Sequence, residues 1–159
     1  ESFEGLRKKI LSRDRVDADL KQQVREMRVK MRTHLGSPSH HGNNASDGEA
    51  SVGQFHIKQD AGGIVDIEFM VQYAVLAWAK SYPSLMVYTD NIRIIEALEK
   101  EGLLPSSQAE NLIEAYKAYR SMVHRLALQG LPATVSADVL SEERQQVTAV
   151  WDSLIGEGE

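Results

Sequence analysis

The sequence predicts an all-α fold: a helical bundle of about five helices, with an N-terminal connecting helical arm and a flexible loop. Three observations carry this. Apolar residues recur at steps of three and four, which places them on one face of a helix. No alternating, strand-like run exceeds five residues. Capping residues, glycines and prolines stand at the ends of the periodic segments, where helices start and stop.

Phe3, Leu6, Ile10 and Leu11 predict a short first helix ending near Ser12-Arg13-Asp14. Val16, Leu20, Val24, Met27, Met31 and Leu35 make the apolar stripe of a second helix. Lys21, Arg25, Arg28, Lys30 and Arg32 are expected on its other faces. Residues 1–35 thus read as a connecting arm. Residues 36–53 are rich in Gly, Ser, Asn and His and have almost nothing to bury, so they predict a mobile loop. His40 and His41 in that loop lack the further partners and pre-organisation that a metal site needs.

The bundle is expected over residues 54–159. Gln54 to Lys58 reads as a short extended segment leading to Gly62-Gly63. Ile64 to Lys80 is apolar on nearly every face and predicts a helix buried on most sides, ended by Tyr82-Pro83. Thr89 or Asp90 caps a helix over Asn91 to Lys100, closed by Gly102. Ser106 or Ser107 starts the next, with Ser107 and Glu110 at capping-box spacing and an apolar stripe from Ala109 to Leu126. It is expected to end near Gln129, before Gly130 and Pro132. Ser141 caps a last helix carrying Val147, Val150, Trp151 and Leu154.

The 42% hydrophobic and 26% charged composition is that of a globular domain. With no cysteine, disulfides and thiolate metal sites are excluded, which fits a reducing cytoplasm. No apolar run reaches the roughly 18 residues of a membrane span. The first residue is Glu rather than Met and no signal peptide is visible, which suggests an excised fragment. Charge is uneven: residues 1–35 hold ten Lys/Arg against six Asp/Glu, and the remainder eight against seventeen. A basic arm on an acidic body suits a phosphate-bearing ligand or an acidic neighbour, but mixed charge of this kind more often marks a solvated helix.

The chemistry concentrates at Lys58, Asp60, Gly62, Gly63, Asp66, Glu68 and Gln72. Paired glycines before a helix allow close backbone approach, and the first-turn N–H groups can receive an anion. Lys58 adds a positive charge beside them. The helix dipole accounts for Asp66 in the first turn. Glu68 lies about 160° away from it around the helix and shares a strip with Gln72 at i+4. That strip either pairs with a buried cation, with Arg93, Arg120 or Arg125 as candidates, or faces a cleft. No phosphate-loop or dinucleotide motif is present. His124, in the run HRLALQ, reads as a core or semi-buried histidine, since no nucleophile accompanies it. Asp66 and Glu68 supply too few oxygens for Mg²⁺, so no metal site and no catalytic residue is expected in this chain.

The run Lys58 to Phe69, followed by Gln72-Tyr73 and Val75-Leu76, resembles the helical domain of the bifunctional glutamine synthetase adenylyltransferase/adenylyl-removing enzymes. The resemblance extends to Val24 to Arg28, Lys30 to Arg32, Thr89 to Arg93, His124 to Gln129 and Glu142 to Trp151. It implies the C-terminal helical domain of an enzyme that adenylylates and de-adenylylates glutamine synthetase. The nucleotidyltransferase domain, with its metal-binding aspartates, would lie upstream of Glu1. ATP and Mg²⁺ would belong to that full-length enzyme, and this chain alone would be inactive. Lys58, Gly62, Gly63, Asp66, Glu68 and Gln72, with Arg28 and Arg32 from the arm, would face the nucleotide cleft in support. The implied partners are the upstream domain, glutamine synthetase and the PII signalling protein, in the cytoplasm, with neither nucleic acid nor membrane. Two other readings stay open: a regulatory module binding PII, glutamine or glutamine synthetase, and a spacer between domains.

Overall fold

The computed structural model describes residues 2–11, 17–35 and 53–156. Six α-helices are found among them: α1 (Phe3–Leu11), α2 (Asp17–Leu35), α3 (Ile64–Trp78), α4 (Asn91–Lys100), α5 (Ser106–Leu128) and α6 (Ser141–Leu154). The expected all-α bundle is what forms, with one small addition. Gln54–His56 (β1) pairs antiparallel with Thr134–Ser136 (β2), Phe55 opposite Val135. Apart from Gly53, the loop expected over 36–53 lies outside the described residues, as do Ser12 to Val16 and the pair His40-His41.

Helix α3 is the hub. It packs on α2, α4, α5 and α6, which explains why its apolar residues lie on nearly every face. Ile67, Met70, Val71, Tyr73 and Ala74 are almost wholly enclosed. Helix α5 runs along α4 and α6, burying Ala109, Leu112, Ala115 and Tyr119. Phe55 on β1 is buried and meets the Tyr119 ring edge-on at 5.8 Å, joining the ladder to the core. A 3₁₀ turn over Pro83–Met86 follows α3, where proline opens the turn without needing an N–H.

Asp90 caps α4, accepting from the Arg93 N–H at 3.2 Å. The other two expected caps shift by a residue. Helix α5 begins at Ser106 behind Pro105, with no side-chain cap from Ser107. In α6, Ser141 is already helical, and the preceding Leu140 takes a left-handed backbone at φ 61°.

The arm departs most from expectation. Leu20 is buried and Val24 partly so, but Met27 is 57% exposed, and the fully buried residue of this face is Arg28. Arg28 therefore does not lie on the outer face of α2. Helix α2 packs on α3, and Arg25 donates to the Ile155 carbonyl at 2.8 Å, so the arm is fastened to both α3 and the chain's C-terminal segment. Helix α1 is held by Arg7, which donates to the carbonyls of Met86 (2.7 Å) and Tyr88 (3.2 Å).

Candidate functional site

The turn between β1 and α3 is closed upon itself. The His56 N–H donates to the Asp60 carboxylate at 2.8 Å, while the Asp60 N–H returns to the His56 carbonyl. The N–H groups of Gly63, Ile64 and Val65 donate to the carbonyls of Asp60, Ile57 and Lys58 at 2.9–3.0 Å. The Gly62 N–H donates to the Asp66 carboxylate at 2.7 Å. These four donors are therefore spent, and the expected anion seat on them does not exist.

The two glycines serve contact instead. A Cβ on Gly63 would sit 2.3 Å from the Ile57 carbonyl oxygen, inside any permitted contact. Gly62 has φ +81°, and a Cβ there would meet the backbone and side chain of Arg144 at 2.7 Å. The close approach read from the sequence is real, but what approaches is α6. Arg144 donates to the Ala61 carbonyl at 2.8 Å with its guanidinium 4.4 Å from the Phe55 ring centroid. Tyr119 donates to the Gly62 carbonyl at 2.6 Å. Burial, first, and the carboxylates of Glu143 and Asp66 hold this hydroxyl's pKa far above the usual tyrosine range, against the opposing pull of Arg144.

Asp66 and Arg28 complete the knot. Arg28 donates through Nε to the Asp66 carboxylate, and through Nη2 to the carbonyls of Gln59 (2.5 Å) and Asp60 (3.3 Å). Arg28 is 0% exposed and Asp66 3%. Neither reaches a cleft, so both expectations of a ligand-facing role are replaced by a structural one. The buried cation is thus Arg28, pairing with Asp66; Arg93, Arg120 and Arg125 make no ion pair with Glu68 among the described residues. Sequence reasoning also missed Tyr119 and Arg144 as supports of the turn. Their signal was an arginine and a tyrosine on otherwise core-facing helices.

The accessible strip lies elsewhere on α3. Glu68 is half-buried and borders two open grooves. The first, of about 570 Å³, lies between the start of α3 and α5 and is lined by Lys58, Gln59, Val65, Glu68, Arg120 and His124. The second, of about 490 Å³, carries Arg7, Glu68, Gln72, Thr89 and Asn91. Lys58 and Gln72 are exposed, and Arg32 is partly exposed on α2, lining neither groove. His124 is exposed, so it is no core histidine; α5 turns it outward beside the groove. Among the described residues the donors do not fit Mg²⁺: Asp60 and Asp66 are buried and engaged, which leaves Glu68 alone. They do fit an anion, through Lys58, Arg120 and His124.

This helical framework, with a turn fastened by Arg28 and a polar strip along its central helix, has clear relatives. A family model described as GlnD PII-uridylyltransferase matches residues 15–151, and the chain belongs to that family. It is 49% identical over 153 residues to the bifunctional glutamine synthetase adenylyltransferase/adenylyl-removing enzyme of Pseudomonas aeruginosa, covering 96% of this chain and 16% of that protein. The enzymes of the same name from Pseudomonas syringae (52% identity, 95% and 15% covered) and Acinetobacter baylyi (43%, 98% and 16%) are similarly close. The chain therefore spans about one sixth of the length of these relatives.

Proposed function

We propose that this chain is the C-terminal helical domain of an enzyme that adenylylates and de-adenylylates glutamine synthetase, working beside an upstream nucleotidyltransferase domain in the cytoplasm. The domain does not carry the transfer chemistry. ATP and Mg²⁺ belong to the upstream domain, where the metal supplies charge neutralisation on the transferring group. The role of this chain is to line the open side of that cleft with the strip Lys58, Glu68 and Gln72.

The observation that carries this is the division of polar residues on α3. Asp66 is locked inward by Arg28, whereas Glu68 stands between two grooves and makes no hydrogen bond or ion pair among the described residues. A half-buried carboxylate at the junction of two open grooves, with no partner among the described residues, is available to an external one. Lys58, exposed in the same groove, suits nucleotide phosphates.

The test is steady-state adenylyl transfer by the full-length protein. Replacing Lys58 or Glu68 with Ala should lower kcat/KM about tenfold or more, the equivalent of about 1.4 kcal/mol of lost stabilisation, without altering the melting temperature. Unchanged kinetics would overturn the reading. The alternative, a regulatory module for PII, glutamine or glutamine synthetase, finds support in the exposed Leu128 and Leu131 where α5 ends. It predicts kinetics that stay normal without effector and lose only their response to it.

A further inference from the structure

The first groove holds more basic side chains than the strip on α3 accounts for. Arg120 and His124 stand one turn apart on α5, so their side chains emerge from the same face. Lys58 is contributed from the turn across the groove. The Arg120 guanidinium lies 5.6 Å from the Tyr116 ring centroid, and the Tyr116 hydroxyl accepts from Asn91 at 3.2 Å. Stacking thus steadies Arg120 without consuming its donors. None of the three has a carboxylate partner among the described residues, in a chain whose net charge is −5. Among the described residues, the one carboxylate of this groove is Glu68, a turn further along α3 than Ile64.

Ile64, Val65, Val123 and Ala127 add an apolar surface beside the basic side chains. The volume, about 570 Å³, is that of a small-molecule site.

We propose that this groove is a binding site for a small organic phosphate, with Arg120 and His124 joining Lys58 as its oxyanion donors and the apolar walls taking the organic part. Arg120 forms the charge-assisted contact, held in place by Tyr116; His124 contributes a ring nitrogen; and Lys58 closes the site from the turn. This deepens the functional reading above, on which the role of Lys58 rests, and extends the site to two residues of α5.

The experiment is an amide-resolved NMR titration of the 159-residue chain with phenyl phosphate and with inorganic phosphate, at constant ionic strength set with chloride. Phenyl phosphate should bind saturably, shifting amides around Lys58, Arg120 and His124, and should bind more tightly than inorganic phosphate. Arg120→Gln should weaken it about tenfold, or about 1.4 kcal/mol. Arg93→Gln, which alters a cation beside Tyr88 instead, should leave it unchanged. Lys58→Gln provides a second variant, and thermal melts confirm that each remains folded. Absence of saturation, equal loss in Arg93→Gln, or equal affinity for the two phosphates would overturn the proposal. Binding is read without catalysis, so normal phosphate binding with unchanged adenylyl transfer in the Glu68 and Lys58 variants would sink the functional reading alone. The converse pattern would sink only this site.

Discussion

Replacing Arg28 with Met removes a guanidinium that is 0% exposed and leaves its partners enclosed. Asp66 loses its ion pair and keeps only the Gly62 N–H, while the carbonyls of Gln59 and Asp60 lose a shared donor. Breaking one side of a buried pair costs about 3–5 kcal/mol, because the remaining charge has no water to turn to. At about 2–4 °C per kcal/mol for a chain of this size, the melting temperature should fall by about 6–20 °C. The assay is a thermal or urea melt of four proteins: parent, Arg28→Met, Asp66→Asn and the double variant. The double variant should be more stable than additivity allows, with a coupling of about 1–3 kcal/mol, since it buries no orphaned charge. A single Arg28→Met variant within about 0.5 kcal/mol of the parent would refute the reasoning, as that is the scale of a surface substitution. Strict additivity in the double variant would refute it too.

Gly63→Ala should be among the most damaging single changes, because its Cβ would meet backbone atoms of Ile57 that cannot swing aside; a loss of about 2 kcal/mol or more is expected by denaturant melt. Gly102→Ala is the control, since its φ is also positive but nothing lies within 4 Å of the added carbon, and a smaller loss, from backbone strain alone, is expected. Tyr119 makes the fold sensitive to alkali. Its hydroxyl holds its proton in the folded chain beyond the pH at which an unfolded tyrosine, with a pKa of about 10, releases it. That contribution is complete below pH about 10 and declines as pH rises toward the folded value. Tyr119→Phe should therefore flatten the alkaline loss of stability while costing about 1–3 kcal/mol at neutral pH for the stranded Gly62 carbonyl. An unchanged alkaline slope would contradict this.

Much of the framework was readable from periodicity. The all-round apolarity of Ile64 to Trp78 identified the central helix, because only a helix packed on several sides can bury every face. Asp90 and Gly102 marked the ends of α4 correctly. Arg28 was not readable. On a helix rich in Lys and Arg it looks like one more solvated charge, and its burial is imposed by a carboxylate 38 residues away. Met27 took the inward place in the expected stripe only because propensity cannot foresee that pairing. The Gly62-Gly63 start was recognised as a place of close approach, but local rules could not say that α6 rather than a ligand approaches it. The ladder partner Thr134–Ser136 was missed since three residues after Pro132 carry no alternation to detect. The split between Asp66 and Glu68 around the helix left two readings open for Glu68, and the sequence could not say that Asp66 alone pairs with a buried cation while Glu68 borders the grooves. Arg120 and His124 emerged only when α5 was set beside α3.

The central claim is that the Lys58–Glu68 face, and not the glycine turn, meets the neighbouring domain. Amine-labelling rates of individual lysines test it most directly, comparing the full-length protein with this chain alone. Lys117, exposed on α5, serves as the internal reference. The account predicts that Lys58 is labelled several-fold more slowly in the full-length protein, and more slowly still with ATP present, while Lys117 is unchanged. Equal labelling of Lys58 in the two proteins, with and without ATP, would contradict it.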